Sequence, residues 1–297
     1  MNGIVLVNKP EGVTSFAVVA RMRRIFKTRS VGHCGTLDPM ATGILPILVG
    51  NAVKATEYLV EHKKTYLATM VFGIESDTED ISGNVTYRHS GRLPSFEEIK
   101  EAALSFLGDT MQIPPMYSAL KVNGKKLVDL AREGIEVERE PRRISVYSMD
   151  VYEKEEKVFL KVECSKGTYI RTLIADIGRK LGCGAVMGSL TRLSVDDFTI
   201  DDCFEESELE AMTDEEKQNA LIPVEKAFES FRSVRYNAFC ERLAKNGCEI
   251  YLSKLRMDIP VGTNVKLYGE HGFFGLGVVE EFEKGVAIRT KKRFEEK

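Results

Sequence analysis

Apolar residues recur along this chain with two different periods, which predict a mixture of strands and helices. Apolar runs, or strict alternation of apolar and polar residues, predict strands at residues 4–7, 65–72, 144–151 and 158–164. In the last of these every second residue is apolar, so one face of that strand is expected to be buried. Periodicity alone therefore supports an alternation of strands and helices.

Helical spacing of apolar residues predicts four longer helices with capping residues at their ends. They are expected at 15–26, 96–107, 169–181 and 234–250, with a shorter helix at 54–59. The predicted N-caps are Thr14 or Ser15, Ser95 and Thr168, and the predicted stops are Gly108, Gly182 and Gly247.

The C-terminal third differs in composition from the rest of the chain. Residues 201–229 hold eleven acidic and two basic residues and are expected to form a linker with a polar helix. Short strands punctuated by glycine follow at 265–268, 273–279 and 286–288, and predict a small β module. The acidic segment carries a charge of −9 against a total of −3, so the remainder is mildly basic, at about +6.

A basic cluster in the first predicted helix contributes to that remainder. Its members are Arg21, Arg23, Arg24, Lys27 and Arg29. Such a run is either a solvated helix face or a surface that holds phosphates, and the sequence leaves both interpretations open.

Composition places the chain among ordinary globular proteins. With 297 residues, 43% of them hydrophobic, it is long enough for a sizeable core and two domains. It has no apolar run of about eighteen residues and no N-terminal signal pattern, so we expect a cytoplasmic protein with no membrane partner. Six cysteines without framework spacing are expected to be free thiols.

The densest group of turn-forming residues lies at 31–50, VGHCGTLDPMATGILPILVG. Its three internal glycines permit backbone angles closed to other residues and Pro39 fixes its own φ, so the shape of this loop is strongly dictated. Asp38 before a proline fits the start of a helix, with the carboxylate as its cap. The same carboxylate, ionised beside the loop backbone, can equally serve as a nucleophile or base.

His33 and Cys34 suggest a metal site, but its usual spacing is missing. The four histidines, His33, His62, His89 and His271, are far apart in sequence, and the chain contains no CxxC. It also lacks a complete dinucleotide fingerprint, a Walker GKS or GKT and a GxSxG elbow. We therefore expect neither a metal nor a nucleotide cofactor.

Residues 32–46, GHCGTLDPMATGILP, closely resemble the catalytic motif GHxGxLDPxAxGxLP of the bacterial tRNA pseudouridine synthase B (TruB) family. Further matches are KTY at 64–66, IPPMYSALKVNGKKLVDLAREG at 113–134, KGTYIRTL at 166–173 and GSLTRL at 188–193. Val128 departs from the family pattern, which usually has tyrosine there, so no ring contact is carried over to it. The matches span about two thirds of the chain, from Asn8 to Leu193.

The resemblance implies an α+β fold, with a pseudouridine synthase mixed sheet flanked by helices and a small C-terminal β-barrel PUA-like domain. The catalytic domain is expected at 1–230, with a mobile thumb at about 113–142, and the RNA-binding domain at 231–297. The implied activity is isomerisation of the T-loop uridine at position 55 of transfer RNA to pseudouridine, without a cofactor, by an isomerase that flips the target base. Its partner is the T-arm of transfer RNA, and we expect a monomer.

The same resemblance assigns roles to three catalytic positions. Asp38 becomes the catalytic carboxylate and Arg171 the guanidinium that keeps it ionised. By itself, Arg171 in a first helical turn is either a surface arginine or the partner of an anion such as Asp38. Tyr66 is expected to stack on the flipped uracil, although a strand tyrosine more often packs on a sheet.

Four further positions are implied to bind the RNA. His33 fills the space that the flipped base leaves, Tyr169 and the backbone at Leu190 hold the edge of the base, and Lys54 contacts a phosphate. A rival class is an RNA-binding protein that keeps the pocket without catalysis. A metal-dependent nuclease or deaminase is disfavoured because clustered ligands are missing.

Overall fold

Strands and helices alternate along the chain, as the periodicity predicts. The computed structural model describes residues 1–59 and 63–295. The strands are β1 Gly3–Lys9, β2 Val31–His33, β3 Thr42–Val49, β4 Lys64–Phe72, β5 Ile74–Ser76, β6 Val85–Arg88, β7 Gly108–Gln112, β8 Lys121–Val122, β9 Lys125–Lys126, β10 Arg142–Lys154, β11 Lys157–Cys164, β12 Ala185–Val195, β13 Phe198–Thr199, β14 Arg232–Arg235, β15 Ile250–Tyr251, β16 Asn264–Gly269, β17 Gly272–Phe282 and β18 Gly285–Arg293.

The helices are fewer than the strands among the described residues. They are α1 Ser15–Ile25, α2 Thr56–Leu59, α3 Phe96–Leu104, α4 Leu127–Arg132, α5 Ile170–Lys180, α6 Glu206–Ala211, α7 Asp214–Asn219, α8 Ala238–Lys245 and α9 Leu252–Leu255, with 3₁₀ turns at Gly50–Ala55, Ile200–Asp202 and Val224–Phe228. Within the described ranges, none of these helices has the length and apolar character needed to cross a lipid bilayer.

A large mixed sheet forms the centre of the molecule. Its strands follow the order β1-β3-β12-β4-β11-β10-β7, with β2 paired to β3 and β13 paired to β12. The pairing of β12 with β3 is parallel, whereas the other neighbours along this path are antiparallel. The strands β3, β12 and β4 therefore lie in the middle of the sheet, and the loops at their ends converge there.

Helices pack against this sheet in two buried clusters. In one cluster α3 and α5 pack against β4 and β11, and Ile99, Ile174 and Leu160 are buried together. In the other cluster α1 places Val18 and Met22 against β1 and β3. Because β1 and β3 are covered on both sides, almost every residue along them is buried, which explains their continuous apolar sequences.

Two of the three predicted N-caps are confirmed. The Thr14 hydroxyl accepts a hydrogen bond from the Ala17 N–H at the start of α1, and Ser95 forms the predicted capping box at the start of α3. The third prediction is wrong, because Tyr169 rather than Thr168 is the N-cap of α5. The side chain of Gln112 in β7 instead accepts from the Tyr169 N–H at 2.8 Å and donates to its carbonyl at 3.0 Å.

The helix stops are partly as predicted. The helix α3 ends at Leu104, four residues before Gly108, and Gly108 begins β7 with a φ of +93°. The expected helix at 234–250 is α8, which begins only at Ala238 because the residues before it form β14. Gly247, with a φ of +86°, follows the end of α8 as predicted.

The acidic segment 201–229 is not a linker. It packs along β1, where Phe204 bridges to Val7 and Ile222 bridges to Ile4. Its acidic side chains reach α1, since Glu206 pairs with Arg21 at 2.6 Å and Asp214 pairs with Lys27 at 2.8 Å. The basic face of α1 is therefore offset in part by carboxylates from this segment.

The C-terminal strands form a second sheet in the order β14-β16-β17-β18-β15. The three strands predicted in this region are confirmed as β16, β17 and β18. The sheet is curled into a half-barrel with β14 and β15 as its two edges, which is consistent with the small PUA-like domain expected here.

The two sheets share one hydrophobic cluster. Leu276 and Phe294 of the C-terminal part are buried together with Ile4 and Leu48 of the large sheet. Phe228 lies at the centre, with its ring 5.8 Å from that of Phe294 between centroids and only 1% of its surface exposed. The C-terminal sheet is thus joined to the large sheet by a common core.

Replacing Phe228 with alanine is expected to destabilise the whole chain by about 3–5 kcal/mol, because the substitution leaves a cavity where the two sheets meet. Chemical denaturation followed by circular dichroism measures this change. The matched control is Phe239→Ala, since Phe239 is 57% exposed and its loss should change the free energy of unfolding by less than about 0.5 kcal/mol. Equal effects of the two changes would contradict the shared core.

Candidate active site

The loop at 34–41 connects the paired strands β2 and β3 and presents Asp38. The Ala41 N–H donates to the Asp38 carbonyl at 3.0 Å, which closes a turn with Pro39 at its second position. No helix begins here, so the capping interpretation of Asp38 is wrong. The carboxylate is left available for another partner.

Side chains and amides from the first thirty residues hold this loop in place. The Ser15 hydroxyl donates to the Leu37 carbonyl at 3.1 Å and accepts from the Leu37 N–H at 2.9 Å. The Pro39 carbonyl accepts from the Gly12 N–H at 2.8 Å and from the Lys9 ammonium at 3.1 Å. Asp38 is therefore flanked on both sides by fixed backbone.

Lys9 is a buried cation beside the loop to which the sequence pattern gave no role other than that of a turn residue. Its Nζ also donates to the Pro10 carbonyl at 2.8 Å. Burial lowers the pKa of Lys9 to about 8, against the nearby charge of Asp38, which raises it. The sequence signal that marks it is a lysine at the end of an apolar strand, directly before a proline.

Arg171 meets Asp38 from the first turn of α5. Its Nε lies 2.9 Å from Asp38 Oδ2, and the Arg171 side chain is 5% exposed whereas that of Asp38 is 37% exposed. Its two terminal nitrogens donate to the carbonyls of Thr78 at 2.7 Å and Tyr117 at 2.9 Å. Arg171 is therefore no surface arginine, and its position is fixed by three separate segments.

A second carboxylate stands behind this pair. Asp80 Oδ2 lies 4.0 Å from Arg171 Nε, and Asp80 is 5% exposed. Its Oδ1 accepts from the Thr78 hydroxyl at 2.7 Å and from the Ser82 N–H at 2.9 Å. Sequence patterns did not single out Asp80. The available signal is the run of acidic and hydroxyl residues at 77–82, which is typical of a turn held by side-chain to backbone hydrogen bonds.

Two tyrosines interact electrostatically with Asp38. Tyr66 in β4 and Tyr169 at the start of α5 both have raised pKa values, chiefly because of burial, and the negative charge of Asp38 adds to each shift. Both phenols are therefore protonated at neutral pH. Tyr66 shares one buried cluster with Leu37, the neighbour of Asp38 in its loop. Tyr169 stands two residues before Arg171, so the structure places both tyrosines beside the Asp38–Arg171 pair.

Leu190 and His33 lie at the edge of this group. Leu190 in β12 is 7% exposed and pairs with Ala68 of β4, two residues beyond Tyr66. His33 ends β2, and its Nδ1 is buried without a hydrogen-bond partner. Burial, together with the charge of Arg192, lowers the pKa of His33, which keeps the ring neutral at pH 7.

Lys54 does not contact the residues around Asp38 described above. Its Nζ donates to the Arg293 carbonyl of β18 at 3.0 Å, so it contacts the C-terminal sheet. Beside it lies a cavity of about 500 Å³, to which Lys27, Arg293 and Asn51 also contribute. Lys54 therefore belongs to the junction between the two sheets.

Comparisons with known proteins agree with this arrangement. Residues 23–170 match the N-terminal domain model of the TruB family of pseudouridylate synthases, and residues 171–229 match the C-terminal domain model of tRNA pseudouridylate synthase B. The tRNA pseudouridine synthase B of Alkaliphilus oremlandii is 44% identical over 282 residues, which cover 94% of this chain and 93% of that protein. The enzyme of the same name from Clostridium kluyveri is 44% identical over 95% of this chain and 97% of its own length.

The chain belongs to the TruB family.

Solved structures support the fold of this TruB family member. A chain of an H/ACA ribonucleoprotein bound to a substrate RNA containing 2'-deoxyuridine superposes with a TM-score of 0.72 at 24% identity, covering 99% of this chain and 85% of that one. A chain of a Cbf5–Nop10–Gar1 complex gives 0.70 at 25% identity, with the same two coverages. The mixed sheet with its helices is thus the pseudouridine synthase fold, and the curled C-terminal sheet is consistent with a PUA-like domain.

In the described part of this TruB family chain, the side chains that could bind a metal ion are dispersed. Among residues 1–59 and 63–295, no three His, Cys, Asp or Glu side chains are grouped so that they could hold a metal ion. His62 lies outside the described residues. All six cysteines are free thiols, as predicted.

The lowered pKa of His33 has a measurable consequence. In a ¹H–¹⁵N NMR titration the His33 ring is expected to protonate below its ordinary pKa of 6.5, because burial and the Arg192 charge disfavour the imidazolium. Since the unfolded chain protonates first, His33 contributes no penalty above pH 6.5 and costs stability as the pH falls below that value. The resonance is assigned by its loss in His33→Gln, and titration at or above pH 6.5 would contradict the buried geometry.

Proposed function

We propose that this protein is a tRNA pseudouridine synthase that isomerises the T-loop uridine at position 55. Its support is the family membership, together with relatives named tRNA pseudouridine synthase B that match over more than nine tenths of the chain. The observation that carries the proposal is the contact between Asp38 and Arg171, 2.9 Å apart at the mouth of the site. A protein that only bound RNA would have no use for a carboxylate paired with a desolvated guanidinium.

The reaction exchanges one bond for another within the same nucleotide. The N1–C1′ bond breaks, the freed uracil turns, and a C5–C1′ bond forms, after which C5 loses its proton and N1 gains one. No atom is lost and no redox cofactor is required. Asp38 serves this exchange as nucleophile or base, and Arg171 holds the carboxylate in position.

The neighbouring side chains hold the target nucleotide. The uracil leaves its stack at a cost of a few kcal/mol, and Tyr66 provides a ring against which it packs. The neutral ring of His33 takes the vacated space in the RNA. Tyr169 and the backbone of Leu190 fix the edge of the base, while Lys54 contacts a phosphate from the junction of the two sheets.

Recognition of the T-arm extends over the rest of the molecule. The catalytic domain comprises 1–230 and the PUA-like RNA-binding domain 231–297. A thumb at 113–142 includes the β8–β9 hairpin and α4, with Lys121, Lys125 and Lys126 exposed toward phosphates. The enzyme works as a cytoplasmic monomer and uses neither a metal nor a nucleotide cofactor.

Asp38→Asn is expected to abolish product while leaving RNA affinity within about threefold, because the amide keeps the shape of the carboxylate but not its charge. Conversion is measured by tritium release from C5 of a T-arm stem-loop, and binding by filter retention. The control is Asp150→Asn, since Asp150 is an exposed carboxylate on β10. Near-normal turnover by Asp38→Asn would contradict the catalytic role of Asp38. It would favour the alternative that the protein binds RNA without catalysing a reaction.

Arg171→Lys is expected to slow single-turnover conversion about 10²-fold or more with little change in RNA affinity. A lysine ammonium keeps the charge but lacks the planar fork that reaches Asp38 and the carbonyls of Thr78 and Tyr117 together. Arg143→Lys serves as the control, because Arg143 is an exposed arginine whose ion pair with Asp109 lies at the surface. A wild-type rate in Arg171→Lys would show that the geometry of the pair is unimportant.

A further inference from the structure

Arg192 is a buried cation that the roles assigned above do not use. None of its surface is exposed, and its Nε and Nη2 donate to the carbonyls of Ile44 at 2.8 Å and Gly35 at 3.1 Å. Within residues 1–59 and 63–295 it has no ion pair with a carboxylate, and its hydrogen-bond acceptors are these two backbone carbonyls. Removing a guanidinium from water without a counter-ion costs free energy. A buried arginine in the middle of the sheet is therefore expected to have a role that offsets this cost.

The strand register places Arg192 directly beside Tyr66. The two residues are opposite partners in the antiparallel ladder of β12 and β4, so their side chains lie on the same face of the sheet. On its other side Arg192 is opposite Gly43 of β3, which has no side chain to share that face. A Cβ at Gly43 would stand 2.2 Å from the Arg192 carbonyl oxygen, so glycine there lets β3 and β12 approach closely.

One guanidinium therefore connects two parts of the site. On one side it lies directly beside Tyr66 in the ladder of β12 and β4, and on the other it donates a hydrogen bond to the Gly35 carbonyl. Gly35 stands three residues before Asp38 in the same loop, and its φ of +78° is in the left-handed region that favours glycine. The same side chain therefore packs against the tyrosine and holds the loop.

We propose that Arg192 is a positioning residue, which fixes the Tyr66 phenol relative to the loop that carries Asp38. Since it is fully buried, it acts through Tyr66 and the loop and never touches the RNA. The inference rests on the proposed isomerase activity and adds to it a residue outside the assigned site. A purely structural role would also make Arg192 important, but the loss of Arg192 would then be independent of the Tyr66 hydroxyl.

The test is a double-mutant cycle of Arg192→Lys and Tyr66→Phe, scored by single-turnover conversion and by the Kd of a T-arm stem-loop. Lysine keeps the charge but cannot reach both carbonyls and the phenol together. We expect Arg192→Lys alone to lower the rate about 10-fold or more, with Kd within about threefold. In the Tyr66→Phe background the same change should cost less than about threefold, because its target is already gone.

Rate losses that multiply in the double variant would overturn the proposal, since they would show that Arg192 acts independently of the phenol. Arg143→Lys, at the exposed arginine of β10, is the matched control and should leave the rate unchanged. Wild-type protein that converts no T-arm RNA would overturn the proposed function itself, and with it this inference. Additive losses in an active enzyme overturn only the inference.

A second measurement is independent of turnover. In protein labelled with 3-fluorotyrosine, the ¹⁹F resonance of Tyr66, assigned by its loss in Tyr66→Phe, should titrate at higher pH in Arg192→Met, because the guanidinium favours the phenolate. An unchanged titration would contradict the contact. If neither Arg192 variant folds, Gly35→Ala replaces them in the cycle, since its Cβ would press on Arg192 Nη1 from 3.1 Å, and additive losses again count against the proposal.

Discussion

The desolvated guanidinium of Arg171 is the constraint on which the geometry of the site depends. A cation with 5% of its side chain exposed must have every donor satisfied, and its acceptors come from three distant segments of the chain: the turn with Asp38, the loop with Thr78 and the stretch with Tyr117. Successive segments among these three are about forty residues apart along the chain. The same side chain that pairs with Asp38 therefore also brings together the loops that surround it.

The mixed sheet supplies the fixed frame for this ion pair. The parallel pairing of β12 with β3 places the loop before β3 and the middle of β12 side by side, and the Thr42 and Thr191 hydroxyls, 2.8 Å apart, hold that register. The antiparallel pairing of β12 with β4 then adds Tyr66. A site built across three central strands is less free to move than one built on loops alone, which suits a reaction that needs a base, a sugar and a carboxylate aligned.

Local patterns predicted the parts of this protein that local forces decide. The alternation in β11, the capping box at Ser95 and the dictated loop around Asp38 depend on neighbours in sequence, and the structure contains all three. The predictions that were wrong, and the residues that were given no role, depend on contacts with residues far away in the sequence. Gln112 replaces Thr168 at the start of α5 because a side chain from another strand reaches its free amide. Lys9 and Arg192 received no role from the sequence, because nothing in the residues next to them along the chain shows that a cation will be buried.

The common core of the two sheets has a consequence for how this molecule meets a long, stiff ligand. Phe228, Leu276 and Phe294 bury the junction between the large sheet, which carries Asp38, and the C-terminal strands. A nucleic acid that contacts both sheets must therefore span the separation that this shared core sets, and one whose loop and stem do not fit that separation loses one of the two contacts. Discrimination by length then needs no contact with the identity of any base along the way.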